Sequence, residues 1–454
     1  MRRLLASLFR LCFGSRIRCL EGIPGPTPLF PFGTLLDFWG AQPWDVCAGY
    51  EKKYGGITLA WMGCTPAVVL NDPELIREVL VTRHEDYYKD NPAKAFRPVL
   101  KVTEFNENGS YWEYLRMRDP VNIRGIDEWL PTQTPAVKKV VDTHLDCLTA
   151  SAKPVDLLPK MERMVYDVYN ACIVGRQLDD KAYRCFYITS NMATKRMQLP
   201  KWLLFPPLNP RFWFARRYHF GAFEKIVEEA KKDLHSDAND LLHVYLRKGT
   251  DVSDKQVAMF LGNVHAGGVF SAGTALVNTL YLLSRSCHAQ IAAKLYAQLR
   301  EAAVPEQCPF LDHVLRESMR YYPPVPMFFR SVLKTKSTQL GKHTLPPDTT
   351  VNIVVQGVHR SSKYWKDPDN FDPSRWENAA VDAHSLDSDY YLPFGRGPRI
   401  CVGAPLTMFC MKVMLASILS RVQVRIDPNI PYRQFFHCGV AEPKGIIGSF
   451  VPHQ

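Results

Sequence analysis

The sequence predicts a mainly helical protein with a small β region. Apolar residues recur at three- and four-residue spacing over 110–119, 156–175, 219–248 and 253–286, which is the periodicity of amphipathic helices. Strand patterning is short by comparison and is expected near the two ends of the chain. With 454 residues, of which 46% are hydrophobic, the chain can bury a large core.

The first 22 residues are rich in arginine and contain no acidic residue before Glu21. This composition is typical of a mitochondrial targeting segment. The apolar run at 4–9 ends at Arg10 and is far shorter than the roughly 20 apolar residues that a membrane-spanning helix needs. We therefore expect a targeting segment at 1–22, a proline-rich hinge at 23–33 and one domain at 34–454. The expected location is mitochondrial, peripheral to the inner membrane, with the endoplasmic reticulum membrane as the alternative.

Two further segments carry structural signals. The stretch ITLAWMGCTPAVVLNDP at 57–73 predicts two short strands around a turn, followed by a helix from Glu74. The stretch LPKWLLFPPLNPRFWFARR at 199–217 combines tryptophan, leucine and phenylalanine with prolines and basic residues. It is either a buried connector or an apolar patch that touches a membrane and admits apolar substrate, and the sequence leaves both possibilities open.

The charge balance and the cysteines limit the classes of function. Fifty-six basic residues against 45 acidic residues give a net charge of +11, which suits an acidic protein partner or an anionic membrane surface. The basic residues are scattered and no nucleic-acid motif accompanies them, so we predict no nucleic-acid partner. The twelve cysteines form no CxxC pair, so neither a zinc site nor a disulfide framework is indicated.

One cysteine, Cys401, lies in an unusual loop, FGRGPRICVG at 394–403, with an apolar helix predicted directly behind it. Backbone N–H groups and a helix N-terminus favour a thiolate because they present partial positive charge. A single thiolate cannot hold zinc in a closed four-ligand site, but it suffices as the axial ligand of a porphyrin iron. The loop therefore indicates a haem ligand.

The other residues of the loop suit this role. Gly395, Gly397 and Gly403 can adopt positive φ and expose their amides toward the sulfur. Arg399 is placed to bind a carboxylate beside the metal. Phe394 would shield the sulfur from water.

The loop matches the pattern FxxGxRxCxG and resembles the cysteine-ligand loop of the cytochrome P-450 family of haem-thiolate monooxygenases. The resemblance extends from the proline hinge to the C-terminus. It implies a mainly helical P-450-like fold in which haem b (heme b, iron-protoporphyrin IX) lies between a long central helix and the cysteine-ligand loop. Cys401 is then the metal ligand.

Further motifs of the family occur in the family's order. Glu317 and Arg320 match its helical ExxR, and Arg375 in FDPSRW matches the arginine that joins them in a structural cluster.

Three other residues resemble the family's haem-binding positions. Trp112 and Arg116, in GSYWEYLRMR, resemble a tryptophan and an arginine that meet a haem propionate. Arg330, after PPVPMFF, stands where a propionate-binding arginine is often found.

The long helix departs from the family pattern [AG]GxDT. In GGVFS at 267–271, Gly268 keeps the room for oxygen and Ser271 keeps the alcohol, but Phe270 replaces the acid. Ser271, water or a substrate hydroxyl would then deliver protons. Thr274 lies about one helical turn beyond Ser271 and is the alternative alcohol if this register is wrong.

The missing acid leaves three functions open. The first is a monooxygenase that acts on an apolar, lipid- or sterol-like substrate and contacts a membrane peripherally. The resemblance implies that a ferredoxin-type iron–sulfur protein, with its reductase, supplies the electrons. The second is a haem-thiolate isomerase or dehydratase that needs no external electrons, and the third is a non-catalytic haem-binding or sensing protein.

Overall fold

The computed structural model describes residues 2–89, 107–151, 153–198, 209–377 and 388–453. The chain forms two compact units, each assembled from three separate stretches. Unit 1 consists of Met1–Pro92, Arg320–Asn370 and Asn378–Cys401, and unit 2 consists of Ala93–Met319, Phe371–Glu377 and Val402–Gln454. The sequence predicts one domain at 34–454. The amino-acid composition does not reveal the division into two units, because the chain passes repeatedly from one unit to the other.

Helices dominate the described part of the chain, which confirms the predicted fold class. They are α1 (Arg2–Arg18), α2 (Pro43–Tyr54), α3 (Pro73–Arg77), α4 (Gly109–Met117), α5 (Ile126–Trp129), α6 (Thr134–Ser151), α7 (Leu157–Val174), α8 (Asp180–Gln198), α9 (Pro210–Lys232), α10 (Leu241–Arg247), α11 (Asp254–Leu283), α12 (Ala289–Glu301), α13 (Pro309–Tyr321), α14 (Val355–His359) and α15 (Ala404–Arg421). The strands are β1 (Ile57–Met62), β2 (Thr65–Leu70), β3 (Tyr87–Tyr88), β4 (Val155–Asp156), β5 (Phe328–Val332), β6 (Thr338–Leu340), β7 (His343–Leu345), β8 (Thr350–Ile353), β9 (Val422–Ile426), β10 (Gln434–His437), β11 (Val440–Pro443) and β12 (Ile447–Pro452).

Unit 1 contains a five-stranded sheet with the order β1-β2-β8-β5-β3. The predicted hairpin at 57–73 is confirmed, because β1 and β2 pair antiparallel in the register Ile57 to Leu70. The predicted helix start is also present, since the Asp72 carboxylate accepts the Glu74 N–H at 2.9 Å. Strands β5 to β8 lie far from either terminus, so the expectation that strands sit near the two ends is wrong. These strands have at most five residues each, too few to show a clear alternation.

Helix α1 belongs to the core of unit 1. Phe9 is fully buried, and its ring packs edge-on against Trp61 with centroids 4.9 Å apart. The Leu5 carbonyl accepts the Phe30 N–H at 3.2 Å, which ties the helix to the chain beyond the hinge. The segment predicted to be a targeting sequence therefore packs as a structural element of the folded chain, and its targeting role stays a prediction.

Unit 2 contains the longest helices. The predicted helix at 253–286 is α11, and the Ser253 hydroxyl accepts the Gln256 N–H at its start. The predicted helix at 219–248 is two helices, because α9 ends at Lys232 and Asp240 caps the start of α10 by accepting the His243 N–H at 3.1 Å. Polar turn residues at 233–240 separate them.

The two longest apolar helices, α11 and α15, are long and apolar enough to cross a membrane by length and composition. Most of each is buried inside the protein. This burial is typical of the core helices of a globular domain.

The position of Phe9 makes a testable prediction about α1. Phe9→Ala is expected to lower the free energy of unfolding by about 3 to 5 kcal/mol, because it removes a fully buried ring and leaves a cavity. Denaturant unfolding followed by circular dichroism measures the change. Leu11→Ala, at a side chain that is 83% exposed, is the control and should change stability by less than about 0.5 kcal/mol. Equal effects of the two substitutions would show that α1 is not part of the core.

Candidate active site

The cysteine-ligand loop is part of unit 1 and is held by its own backbone. A short 3-10 helix at Gly397–Arg399 precedes Cys401, whose N–H donates to the Phe394 carbonyl at 2.9 Å. The loop therefore closes on itself and presents the Cys401 side chain on its outside, where it is exposed. An exposed sulfur in a closed loop is accessible to a metal.

The glycines of the loop serve different purposes. Gly397 has φ +72°, and a Cβ atom there would lie 2.1 Å from the Leu80 carbonyl oxygen, so only glycine fits this position. Gly395 also has positive φ, at +73°. Gly403 has φ −81° and is the N-cap of α15, so the expectation of positive φ at that residue is wrong. Its carbonyl accepts the Thr407 N–H at 2.8 Å, the first hydrogen bond of that helix.

Arg330 is a buried cation in the same unit. Its side chain is 6% exposed, and its one hydrogen bond goes to the Phe329 carbonyl at 2.8 Å. It makes no ion pair with any residue that the structure describes. Burial, and secondarily the charge of Arg399, lowers the pKa of Arg330 to about 9. A buried guanidinium with no ion pair among the described residues suits an anionic ligand such as the propionates of haem.

Glu317 accepts hydrogen bonds from several donors inside unit 2. It is fully buried, and its Oε1 atom accepts from Arg375 Nε and from the Asp372 N–H, both at 2.9 Å. Its Oε2 atom accepts from Trp376 Nε1 at 3.0 Å. The predicted pairing of Glu317 with Arg375 is present, and the indole donor is one that the sequence motif did not indicate.

Arg320, the other charge of the motif, belongs to unit 1. Its side chain is fully buried. Nη1 donates to the carbonyls of His359 and Pro368 at 2.7 and 2.9 Å, and Nη2 donates to the Asn370 carbonyl at 3.1 Å. The guanidinium thus stabilises the loop that leads to FDPSRW.

Trp112 and Arg116 lie on one face of α4, four residues apart. Trp112 is 7% exposed and Arg116 is half-buried. The next arginine on the chain, Arg118, forms two hydrogen bonds to Asp251, each 2.5 Å long. The role of Trp112 and Arg116 toward a propionate stays a prediction.

Helix α11 of unit 2 has one accessible stripe, which contains Gly267 and Ser271. Gly267 is exposed, and a Cβ atom there would meet nothing within 4 Å. The Ser271 hydroxyl donates to the Gly267 carbonyl at 3.0 Å and approaches the Gly268 carbonyl at 3.3 Å. The expected open space is therefore at Gly267.

Gly268 does not provide the expected room. A Cβ atom there would lie 2.4 Å from the Tyr169 ring, so the tyrosine occupies that space. The Tyr169 hydroxyl also forms a hydrogen bond with Thr407 Oγ1 at 3.0 Å. Gly268 is thus a docking point for a neighbouring helix, and the sequence had no signal that would reveal Tyr169.

Phe270 lies in an aromatic cluster, away from the stripe. Its ring stacks on Phe186 with centroids 5.4 Å apart and contacts His437 edge-on at 4.9 Å. His437 Nδ1 is 2.7 Å from Glu442 Oε1, and both residues are buried. An ionisable pair therefore adjoins the position at which the family pattern has an acid. Thr274, the alternative alcohol, is fully buried.

A second buried acid packs on α11 at Gly273. Glu162 is 3% exposed, and its Oε1 atom makes no hydrogen bond with the residues that the structure describes. A Cβ atom at Gly273 would lie 3.0 Å from Glu162 Cγ, so the acid packs directly on the helix. Burial, and then the charge of Glu442, raises the pKa of Glu162 to about 9, which keeps this acid protonated at neutral pH.

The residues present fit the haem that the resemblance implies. Unit 1 contains an accessible thiol and a buried arginine without an acidic partner among the described residues. Unit 2 contains an open position beside an alcohol. A single sulfur donor with guanidinium groups suits a porphyrin iron with acidic side groups. Among the described residues no group of three or more His, Cys, Asp or Glu side chains could hold a metal ion without such a cofactor.

The raised pKa of Glu162 predicts a pH-dependent stability. The folded state holds this proton more tightly than the unfolded chain, whose ordinary pKa is 4.5. Its contribution to stability is therefore complete below pH 4.5 and is lost as the pH rises toward 9. Glu162→Gln mimics the protonated acid and should equal the wild type near pH 4.5 but exceed it by roughly 3 to 5 kcal/mol near pH 8.

Thermal and denaturant unfolding across this pH range measure the difference. Glu301→Gln, at an exposed position at the end of α12, is the matched control and should show no such divergence. A stability difference that stays constant with pH would contradict the assignment.

Comparisons with known proteins agree with this arrangement. The family model for cytochrome P450 matches residues 23–445. Cytochrome P450 3A18 of Rattus norvegicus is 26% identical over 441 residues, which cover 89% of this chain and 86% of the rat protein. Lithocholate 6-beta-hydroxylase of Mesocricetus auratus is 26% identical over 438 residues, covering 88% and 84%. Premnaspirodiene oxygenase of Hyoscyamus muticus is 25% identical over 439 residues, covering 87% and 85%.

The match to the family model covers nearly the whole chain and includes every motif from Trp112 to Gly403. The names of the relatives specify hydroxylases and oxygenases. This chain belongs to the cytochrome P450 family and is a monooxygenase whose cofactor is haem b.

Proposed function

We propose that this enzyme inserts one oxygen atom from O2 into an apolar, lipid- or sterol-like substrate. The observation that carries the proposal is the accessible stripe of α11, where the Ser271 hydroxyl adjoins the open position at Gly267. When bound, haem supplies the activation of oxygen. The protein supplies an accessible thiol at Cys401 and an alcohol proton at Ser271.

Ser271 is the proposed group that passes protons. Its hydroxyl already donates to the Gly267 carbonyl, which leaves the lone pairs of Oγ able to accept a hydrogen bond from water. Phe270 is held in its aromatic cluster and has no proton to give. Water on the accessible stripe is therefore the proposed source of protons, and Ser271 orients it.

The proposed substrate is apolar because apolar side chains dominate the chain near α11. Helix α9, which packs along α11, carries the described part of the aromatic stretch predicted at 199–217. Residues 199–208 of that stretch lie outside the described residues. The names of two relatives, which specify lithocholate and premnaspirodiene, support a lipid-like substrate.

A separate redox protein is the proposed electron donor. The net charge of +11 would attract an acidic partner. A ferredoxin-type donor goes with a mitochondrial location, which the comparisons do not support. Arg316, the basic residue beside the ExxR motif, adds little support for an acidic partner, because it already forms an ion pair with Asp312. Lys412 lies 3.5 Å from the same carboxylate. The comparisons carry no statement about the donor.

The location that we propose is the endoplasmic reticulum membrane, with peripheral contact through α1. The comparisons give no support for a mitochondrial location, and α1 is packed into unit 1. The opposite side of α1 exposes Leu4, Leu8 and Leu11 together with Arg3 and Arg10. Apolar side chains flanked by arginines suit the surface of an anionic membrane.

The sequence leaves an isomerase or dehydratase open because Phe270 replaces the acid of the family pattern. Such a reaction needs no external electrons. The names of the relatives, which specify a hydroxylase and an oxygenase, favour the monooxygenase. A purely haem-sensing role has no observation in its favour.

The first experiment examines Cys401 by the difference spectrum of the reduced holoprotein with and without carbon monoxide. The wild type should show the long-wavelength band of a cysteinate-bound haem, and Cys401→Ala should lose it. Cys287→Ala, at another exposed cysteine, is the control and should keep it. A thiolate band that survives in Cys401→Ala would overturn the ligand assignment.

The second experiment examines Ser271. Ser271→Ala should lower the fraction of supplied electrons that appears in product by at least about tenfold. Positioned groups that transfer protons accelerate a reaction by at least that factor. The measurement compares oxygen consumed, peroxide released and product formed. Thr274→Val is the matched variant and should leave the fraction unchanged. The opposite result would mean that Thr274 is the functional alcohol and that the register is wrong.

A further inference from the structure

Helices α9 and α11 of unit 2 carry polar side chains whose buried atoms have no hydrogen-bond partner among the described residues. They include Nε1 of Trp213, Nε of Arg216, and both Nδ2 and Oδ1 of Asn263. A buried polar atom without a partner costs about 1 to 3 kcal/mol. Because native proteins satisfy most such groups, a cluster of them indicates that something outside the protein completes the hydrogen bonds.

Phe220 connects the two helices in this region. The Arg216 guanidinium lies 5.6 Å from the Trp213 ring centroid and 5.8 Å from the Phe220 ring centroid. The Phe220 ring in turn occupies the side-chain position of Gly262, since a Cβ atom there would lie 2.8 Å from Phe220 Cε1. Gly262 directly precedes Asn263. Phe220 therefore links the arginine to the turn of α11 that carries the amide.

The region is rich in hydrogen-bond donors and positively charged. Arg216 forms neither an ion pair nor a hydrogen bond with the described residues. Burial lowers the pKa of Arg216, but a guanidinium stays protonated at neutral pH. Trp213 offers an N–H donor, and Asn263 offers donors and one acceptor. Such a donor set is complementary to an anion with two oxygen atoms.

Asn263 is also related to the accessible stripe of α11. It lies four residues before Gly267 and eight residues before Ser271, which is about 12 Å along the helix axis. A ligand anchored at Asn263 could therefore extend along α11 to Ser271. The aromatic rings of α9 provide an apolar surface near the anchor.

We propose that Arg216, Trp213 and Asn263 bind the carboxylate of an otherwise apolar substrate, whose chain extends toward Ser271. The inference rests on the proposed monooxygenase function and narrows its substrate class to lipid-like acids. Arg216 balances the charge, and the indole and amide N–H groups complete the hydrogen bonds of the carboxylate. The anchor thereby selects the part of the chain that reaches Ser271.

Titration calorimetry of the holoenzyme with decanoate and with 1-decanol tests the proposal. The two ligands share a chain length and differ in the charge of the head group. The wild type should bind decanoate at least about tenfold more tightly, because hydrogen bonds to charged groups contribute about 1.5 to 3 kcal/mol. Arg216→Met should remove this preference and leave the affinity for 1-decanol unchanged.

Two further variants keep the test decisive. Arg217→Met removes an equal charge from the exposed neighbouring residue and should leave the preference intact. Trp213→Phe keeps a ring but removes the N–H donor and should weaken decanoate binding severalfold, even if Arg216→Met does not fold.

The proposal is overturned by equal affinity for the two ligands in the wild type, or by failure of the wild type to bind decanoate. It is also overturned if Arg217→Met loses the preference as fully as Arg216→Met does. The carbon monoxide difference spectrum of the same samples distinguishes failure of the proposed function from failure of the carboxylate anchor. Loss of the thiolate band in the wild type would reject the monooxygenase, whereas an intact band without carboxylate preference would reject only the anchor.

Discussion

Close packing around α11 is the constraint on which the proposed chemistry depends. Gly262, Gly268 and Gly273 lack side chains where Phe220, Tyr169 and Glu162, respectively, approach the helix. A Cβ atom at any of them would come within 3.0 Å of those groups, so larger residues would push the neighbouring helices away. The stripe with Gly267 and Ser271 remains accessible. The three packed glycines thus orient the helix, and Gly267 provides open space.

Tyr169 extends this constraint to a second helix of unit 2. Its ring fixes α11 at Gly268, while its hydroxyl bonds to Thr407 in the first turns of α15. Helix α15 begins three residues after Cys401 along the chain. One side chain therefore connects the helix that carries Ser271 with the helix that follows the cysteine-ligand loop.

Buried charges in this protein fall into three groups. Glu317 accepts hydrogen bonds from a guanidinium and other donors, whereas Arg320 donates to backbone carbonyls. Arg330 and Arg216 have no acidic partner among the described residues. Because an uncompensated buried charge is costly, we propose that the last two bind an anion, whereas the first two stabilise the fold.

Local sequence patterns were enough to predict the fold class, the long helix and the hairpin at 57–73, because periodic apolar residues and capping signals are local. The loop at Cys401 also predicts a haem ligand, since it is a contiguous pattern of residues whose types are individually constrained. Local patterns failed at 219–248, where a polar loop interrupts the helical pattern, and at strands β5 to β8, which are too short to alternate visibly.

The long-range contacts depend on tertiary packing. Tyr169 at Gly268, His437 beside Phe270 and Phe220 at Gly262 each join residues far apart in the chain. The same holds for α1, whose composition predicts a targeting segment but whose Phe9 is buried against Trp61. Composition describes what a segment can do in isolation. Burial and hydrogen-bond partners depend on which surfaces meet after folding, and a local sequence pattern does not predict those contacts.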